Sequence, residues 1–495
     1  MRLRLEPVLN VYEDVKIKMQ IDVLDNLVLG STPDGFPGNP ISPLLSLSQT
    51  QIPPSDGINS VWTDSIRVKR AWAEVMTPLG QLRVGRMPAH FGLGAFMNEG
   101  RGIDSDFGDT VDRIMFATKI GDFYIAPSFD WAATGPTSAI RFSPYGQAFD
   151  RDQRDDVDQY GLAIVKKDDP EEVERRLAQD EYVFDFGTFQ LGRFQPLEAA
   201  TFVSTGDPED NATTTELLER DMRMYMYSYW ARLRYRKLTI EAEYAGVLGS
   251  IGNPRASGSF EVPEEERQSS IGLNQHGFVL NVDYKLLKDA LTFQLLVVAA
   301  SGDSAPGWGV RPLMNTNGET DVWDGSQVGP GDNDITNFRF DPDFVVDMIL
   351  WRQLVGTVTD ALVVRPSIQY NFTEGLGARV DAVYSRSWFA SSTPSGSFTD
   401  LTSNTVEGRN LGEPDRNLGL EFDFKLFYDS IDGFHAWAQY GLLIPFGGLA
   451  RQVDVESESR IAAGQDVRNL NEGGVVGRLS TEVAHTIQFL LGVSF

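Results

Sequence analysis

Apolar and polar residues alternate along most of this chain, in segments of about ten residues separated by turn signals. In NLGLEFDFKLFY (417–428), Leu418, Leu420, Phe422, Phe424 and Leu426 share one parity and Glu421, Asp423 and Lys425 the other. Near the start, Leu3, Leu5, Leu9, Val15, Ile17, Met19 and Ile21 oppose Arg2, Arg4, Lys16, Lys18 and Asp22. A period of two is the signature of a strand with one greasy face. DFYIAPSFDW, LTIEAEYAGVL, FVLNVDYKLL, LTFQLLVVAA, LVVRPSIQYNF, LGARVDAVYS and FHAWAQYGLLI repeat the pattern, giving about seventeen strands. The chain finishes on TIQFLLGVSF, with Ile487, Phe489, Leu491, Val493 and Phe495 on one face. Such a terminal strand needs a core or a lipid to face, because an exposed apolar edge aggregates in water.

The connections carry more information than the strands. Eight are short: YED, TPLG, IGD, the stretch 168–181, RKL, LKD, TEG and DSIDG. Eight are long, at roughly 28–63, 89–110, 135–156, 195–221, 250–276, 303–358, 390–415 and 448–480, and short alternates with long throughout. Outer-membrane barrels have this rhythm of short periplasmic turns and long extracellular loops, whereas soluble sandwiches do not. The expected fold is therefore all-β: one transmembrane, antiparallel, up-and-down β-barrel domain over residues 1–495. Its apolar parity faces lipid, its polar parity faces the lumen, and closure removes the edge.

Seventeen is an odd number, and single-chain bacterial barrels have even numbers. With long loops outside, the last strand ends in the periplasm, but the first would start outside the cell. No signal peptide precedes it. Both observations point to Met1 being internal to a longer precursor with one more upward strand, eighteen in all; the alternative is a miscounted strand near FVVDMILWRQLVG (344–356). In that stretch Phe344, Met348, Trp351 and Val355 recur at helical steps, so a short helix is expected in the longest loop, 303–358, capping or entering the pore.

Composition sharpens this picture. Across 495 residues, 70 acids face 43 bases, a net charge of −27, which argues against nucleic acid as a partner. The long connections hold 39 of the acids and 15 of the bases and none of the lysines, so the acidity belongs mostly to one rim. Cysteine is absent, and the four histidines (His90, His276, His435, His485) form no metal-binding spacing. The longest apolar run, LLVVAA (295–300), is too short for a membrane helix. No GxSxG motif, P-loop or metal cluster suggests catalysis, no cofactor is implied, and Ser494 beside His485 reads as coincidence.

One segment carries a resemblance. RAWAEVMTPLGQLRVGRMPAHFGLGAF (70–96), an acidic loop and then DTVDRIMFATKIGDFYIAPSF (109–129) resemble the general porins of Gram-negative bacteria. There, a strand ending in Gly-Arg leads into a loop folded back into the pore. The resemblance covers roughly residues 70–130. It implies a pore constriction with Arg70, Arg86 and Arg113 on its basic side and Glu99, Asp104, Asp106 and Asp109, in the constriction loop 89–110, on its acidic side. Parity agrees for Arg70 and Arg113. It disagrees for Arg86, which follows Leu82 and Val84 unless Gly85 marks a bulge.

Pattern alone places further charges of both signs in the lumen: Arg232, Arg234, Glu241, Glu243, Asp283, Arg365, Arg379, Asp381, Glu421, Asp423 and Lys425. A mixed lining suits passive diffusion of small polar solutes and ions, and the acidic rim favours cations weakly. The rival reading is a barrel plugged by loops 89–110 and 303–358, serving as a surface scaffold, adhesin or receptor. DRDQRDDVD (150–158) and GDNDITNFRFDPD (331–343) offer clustered oxygen ligands for a hard cation such as Ca²⁺, though a solvated acidic rim explains them more simply. Expected partners are outer-membrane lipid and lipopolysaccharide, and the barrel-insertion machinery through Phe495. The resemblance also allows a homotrimer.

Overall fold

The computed structural model describes residues 2–23, 66–132, 154–203, 213–252, 270–304, 306–309, 334–397, 415–450, 452–454, 476–478 and 481–494. Phe495 and most of the long connections lie outside the described residues.

Alternation becomes strand almost wherever it occurs. The chain begins with β1 (Leu3–Leu5), β2 (Val8–Tyr12), β3 (Val15–Val23), β4 (Ile66–Thr77), β5 (Gly80–Pro88), β6 (Thr110–Ile120) and β7 (Phe123–Ala132). β8 (Val157–Lys166), β9 (Val183–Val203), β10 (Thr213–Tyr235), β11 (Leu238–Gly252), β12 (Ser270–Leu286) and β13 (Leu291–Ala300) follow. After β14 (Asp334–Ile335) come β15 (Ala361–Asn371), β16 (Leu376–Ser387), β17 (Asn417–Asp429), β18 (Phe434–Pro445), the hairpin β19 (Gln452–Asp454) and β20 (Val476–Arg478), and β21 (Ala484–Val493).

All but the β19–β20 hairpin join one nineteen-stranded sheet. From β3 to β13 each strand pairs antiparallel with the next in sequence, and β13–β15–β16–β17–β18–β21 completes the series. β1 and β2 both pair with β3 and share one wall position, and β14 is a two-residue parallel contact on β12. Nineteen less those two leaves seventeen wall positions, the number the alternation predicts. No ladder joins β21 to β1 or β2 among the described residues. The sheet is nevertheless rolled: Arg2 and Arg4 of the first edge bind Ser105 and Gly100, and Ile103 of the same loop lies against Gly492 of the last.

The two faces differ as parity requires. Outward residues are large and exposed: on β21, Ile487 is 65 %, Phe489 78 %, Leu491 77 % and Val493 69 % exposed. Exposed outward aromatics also collect at two levels, Phe123, Tyr284, Tyr370 and Tyr428 towards the short turns and Trp131, Tyr160, Phe194 and Tyr225 towards the long loops. Two such belts are what the two water interfaces of a bilayer select.

Three expectations need correction. The connection at 195–221 is largely strand, because β9 and β10 run on to Val203 and from Thr213, and β12 begins at Ser270, inside the expected loop 250–276. Leu418 is not on the lipid face. The β16–β17 register shifts between Ser385 and Arg386, so Leu418 turns inward and is fully buried. The short helix expected near 344–356 is a π-helix over Leu350–Val355. The one longer turn contains helix α1 (Pro170–Ala178), with Pro at its start, Glu171 and Glu172 in its first turn and Arg175 and Arg176 in its last.

Candidate functional site

The lumen is built by two loops that enter the rolled sheet and by the inward side chains that hold them. The first loop follows β5. Its entry is fixed by Glu243 of β11, whose carboxylate accepts the N–H of Leu93 at 2.7 Å and of Ala95 at 3.4 Å, together with the Ser228 hydroxyl at 2.9 Å. Its exit is fixed by Arg70. A bulge between Gln20 and Ile21 in the β3–β4 register turns both Lys69 and Arg70 inward. Arg70 then donates to Thr110 Oγ1 at 2.9 Å and to the carbonyls of Glu99 and Asp109 at 2.7 and 3.0 Å.

The second loop, 334–360, locks onto the first. Asp343 accepts backbone N–H groups of Asp106, Phe107 and Gly108, and Asp341 N–H donates to the Ala95 carbonyl at 2.9 Å. Arg352 binds Asp104 at 2.6 Å. The barrel wall holds this loop through Glu421, which accepts the N–H groups of Met348, Ile349 and Leu350 at 3.0, 2.7 and 3.1 Å, where the π-helix starts. Asp347 accepts those of Trp351 and Arg352, and Arg365 donates to the Val346 carbonyl. A carboxylate facing a row of free N–H groups satisfies donors that a helix start leaves unpaired.

Beneath these polar clamps lies an apolar plug. Phe338, Phe340, Val346, Met348, Leu350 and Trp351 pack on the inward side chains Val279, Leu296, Val298, Ala361, Val363, Val383, Leu418 and Leu443. Trp351 is 1 % exposed and donates its indole N–H to Ser385 Oγ at 3.0 Å. The inner wall of β12–β18 is therefore dry at the level of the plug. The inner wall of β3–β6 is polar: Gln20, Asp22, Arg70, Glu74 and Arg113 are buried in polar contacts, while the side chains of Lys18, Arg83 and Lys119 keep 34, 38 and 41 % exposure.

The constriction residues separate into two groups. Arg70, Glu99, Asp104, Asp106 and Asp109 meet in the loop assembly, though the loop's carboxylates are matched by Arg2 (to Asp106, 2.5 Å), Arg101 (to Glu99, 2.7 Å) and Arg352, which parity reasoning did not single out. Arg113 stands apart from them. It is buried in a bidentate pair with Asp130 of β7 at 2.5 and 2.7 Å. Arg86 is on the outer face. No register shift occurs at Gly85 in either ladder, so Arg86 keeps the parity of Val84 and pairs with Asp112, level with Trp131. Gly85, at φ +127°, serves instead to let the β4 backbone approach: a Cβ there would lie 2.6 Å from the Ala71 carbonyl.

The remaining lumen residues face inward and are mostly matched. Arg232 and Arg234 share Asp185, at 3.0 and 2.8 Å, and Glu241 accepts the Trp230 indole at 2.7 Å. Asp283 accepts from Asn281 and Gln294, Arg379 pairs with Asp381 at 2.8 Å, and Lys425 lies 3.3 Å over the Trp437 ring. Asp423 is buried beside Glu421. Towards the short turns, Asp283, Lys285, Gln294, Ser367, Gln369 and Arg379 line a cavity of about 250 Å³. Of the acidic runs weighed for Ca²⁺, residues 150–153 lie outside the described residues, and Asp341 and Asp343 of the other turn into the loop junction. There burial, with Asp109 adjacent, pushes Asp341 up to about 8, and burial also raises Asp109.

No family model matches the sequence, and no curated protein matches it. Solved structures similar to it are outer-membrane proteins. OpdK of Pseudomonas aeruginosa, solved with vanillate, is 10 % identical with a TM-score of 0.39, covering 88 % of this chain and 83 % of its own. The channel DcaP of Acinetobacter baumannii is 11 % identical with a TM-score of 0.34, covering 78 % and 79 %. OmpT of Vibrio cholerae is 9 % identical with a TM-score of 0.33, covering 78 % of each chain. At such scores these likenesses carry nothing about the lumen, and the interior is interpreted from its own geometry.

Proposed function

We propose that this chain is an outer-membrane channel through which small polar solutes and ions diffuse passively, along a path confined to the β3–β6 side of a half-filled lumen. The observation that carries this reading is the contrast between the two inner walls. The plug and its clamps occupy the β12–β18 side, whereas Lys18, Arg83 and Lys119 retain access to water on the other. The apolar outer face with its two aromatic levels supports residence in a bilayer. Charges of both signs along the polar wall, such as Lys18 and Arg83 around Glu74, disfavour apolar solutes. A weak preference for cations rests on the acidity of the long connections.

The test is conductance of the purified, folded protein in a planar bilayer, with reversal potential under a salt gradient. Steady openings with a small cation-selective potential are expected. A demonstrably folded protein that conducts nothing would favour the second reading, a plugged surface receptor, for which the packed loop 334–360 is the specific observation.

A further inference from the structure

One cluster of polar side chains plays no part in the channel. It lies at the short-turn end, where β17, β18 and β21 run side by side. His435 Nδ1 is 2.8 Å from Asp429 Oδ1, and His435 Nε2 is 3.1 Å from Ser494 Oγ. Sequence adjacency points instead to His485, which the fold sends to the outer face to meet Tyr440. The register explains the meeting: Asp429 pairs with His435 across β17–β18, His435 pairs with Gly492 across β18–β21, and Ser494 N–H donates to the Gly433 carbonyl at 2.8 Å.

The polarity of these bonds is the informative part. Asp429 can only accept, so the imidazole proton sits on Nδ1 and Nε2 presents a lone pair. The Ser494 hydroxyl has two acceptors in reach, that lone pair at 3.1 Å and the Gly433 carbonyl at 3.3 Å, and the nearer one is the imidazole. Trp437 Nε1 donates to Asp429 Oδ1 at 3.0 Å and fixes the carboxylate from a second direction. Ser494 is exposed and the His435 side chain keeps 19 % exposure, so a reactant in water can reach the hydroxyl. Nucleophile, base and orienting acid thus stand in the order and at the separations that activate a serine.

We propose that Ser494 is an activated nucleophile, with His435 as its general base and Asp429 as the positioning residue, acting on small activated esters such as aryl esters. Ser494 Oγ forms a bond to the acyl carbon while its proton passes to His435 Nε2. The bond from that carbon to the leaving oxygen breaks, and the proton returns to the departing phenolate. Water then repeats the sequence, releasing the carboxylic acid and regenerating the serine. The substrate class follows from what surrounds the site. The neighbouring backbone N–H groups are taken, Gly433 by the Ser430 carbonyl and Ser494 by Gly433, which leaves no amide pair among the described residues to stabilise an oxyanion. Only esters with good leaving groups need so little help.

The test uses the full folded chain with a fluorophosphonate probe and p-nitrophenyl acetate, mapping the labelled peptide by mass spectrometry. Labelling is expected at Ser494, absent in Ser494→Ala, and slowed about 100-fold in His435→Gln, the lower range for a lost general base. Labelling elsewhere, no labelling, or an equal rate in a His435→Gln variant that still shows heat-modifiable mobility would overturn the proposal. Should that variant not fold, a folded Asp429→Asn variant labelled at the unaltered rate would do so equally. None of these outcomes depends on whether the barrel conducts.

Discussion

The two inner walls follow the same rule of parity and end in opposite states. On β3–β6 the inward residues are Lys16, Lys18, Arg83, Arg113 and Lys119, each near water or a carboxylate; on β13 and β15 they are Leu296, Val298, Ala300, Ala361 and Val363, each nearly sealed from solvent. The difference lies in what covers them. The first loop crosses the lumen and touches the polar wall mainly through backbone groups and arginines, whereas the second lays an aromatic and aliphatic surface on the dry one. Inward parity therefore specifies a side, and the loop that packs there decides whether that side is pore or core.

The comparison breaks most severely at Trp351. Truncation to Ala would remove a fully buried ring from the plug and orphan Ser385 Oγ, a loss of about 3–5 kcal/mol for a large-to-small core change. The loop 334–360 should detach locally and conductance should rise; an unchanged conductance would mean the plug does not border the conducting path. Next comes Arg113, whose removal leaves Asp130 buried without its partner, costing roughly 3 kcal/mol or more. Arg113→Gln should lower thermal stability while leaving ion selectivity nearly unchanged, because the pair is sealed from the pore. A large shift in reversal potential without loss of stability would return Arg113 to the constriction. Arg70→Gln should be milder, about 2 kcal/mol for charge-assisted bonds to two carbonyls, and should appear as noisier current as the loop after β5 loosens.

These cases also show how far the sequence could be read. Strand alternation and the short–long rhythm were legible because lipid and water impose them on every strand. The plug was less so, since its partners on the wall are scattered over β12 to β18. A signal did exist in LLVVAA: a run apolar in both parities means that neither face meets water, and Leu296, Val298 and Ala300 are its inward, buried members. Leu418 was misassigned because a bulge changes parity without any local mark in NLGLEF. Arg86 shows the converse, a glycine that could have marked a bulge and does not. Arg70 faces inward as parity indicates, but its role, holding the exit of the first loop by the Glu99 and Asp109 carbonyls, depends on backbone positions that no residue pattern encodes.

The smallest effect, and the most discriminating between a static and an adjustable lumen, concerns the junction of the two loops. Asp341 is raised to about 8 by burial beside Asp109, so the folded junction holds a proton that an exposed aspartate would have lost at about 3.9. The sign follows directly: the folded state binds more protons between these values, so the junction is firmest below about pH 4 and weakens as pH rises through 8. Hydrogen exchange at the amides of Asp106, Phe107 and Gly108, which Asp343 anchors, should therefore accelerate towards alkaline pH beyond the intrinsic base-catalysed rise. Asp341→Asn, which keeps the shape of the protonated acid, should remove most of that excess. If the excess persists in Asp341→Asn, the proton resides elsewhere, and the second loop's carboxylate Asp347, also raised by burial and by Glu421, becomes the group whose titration loosens the plug.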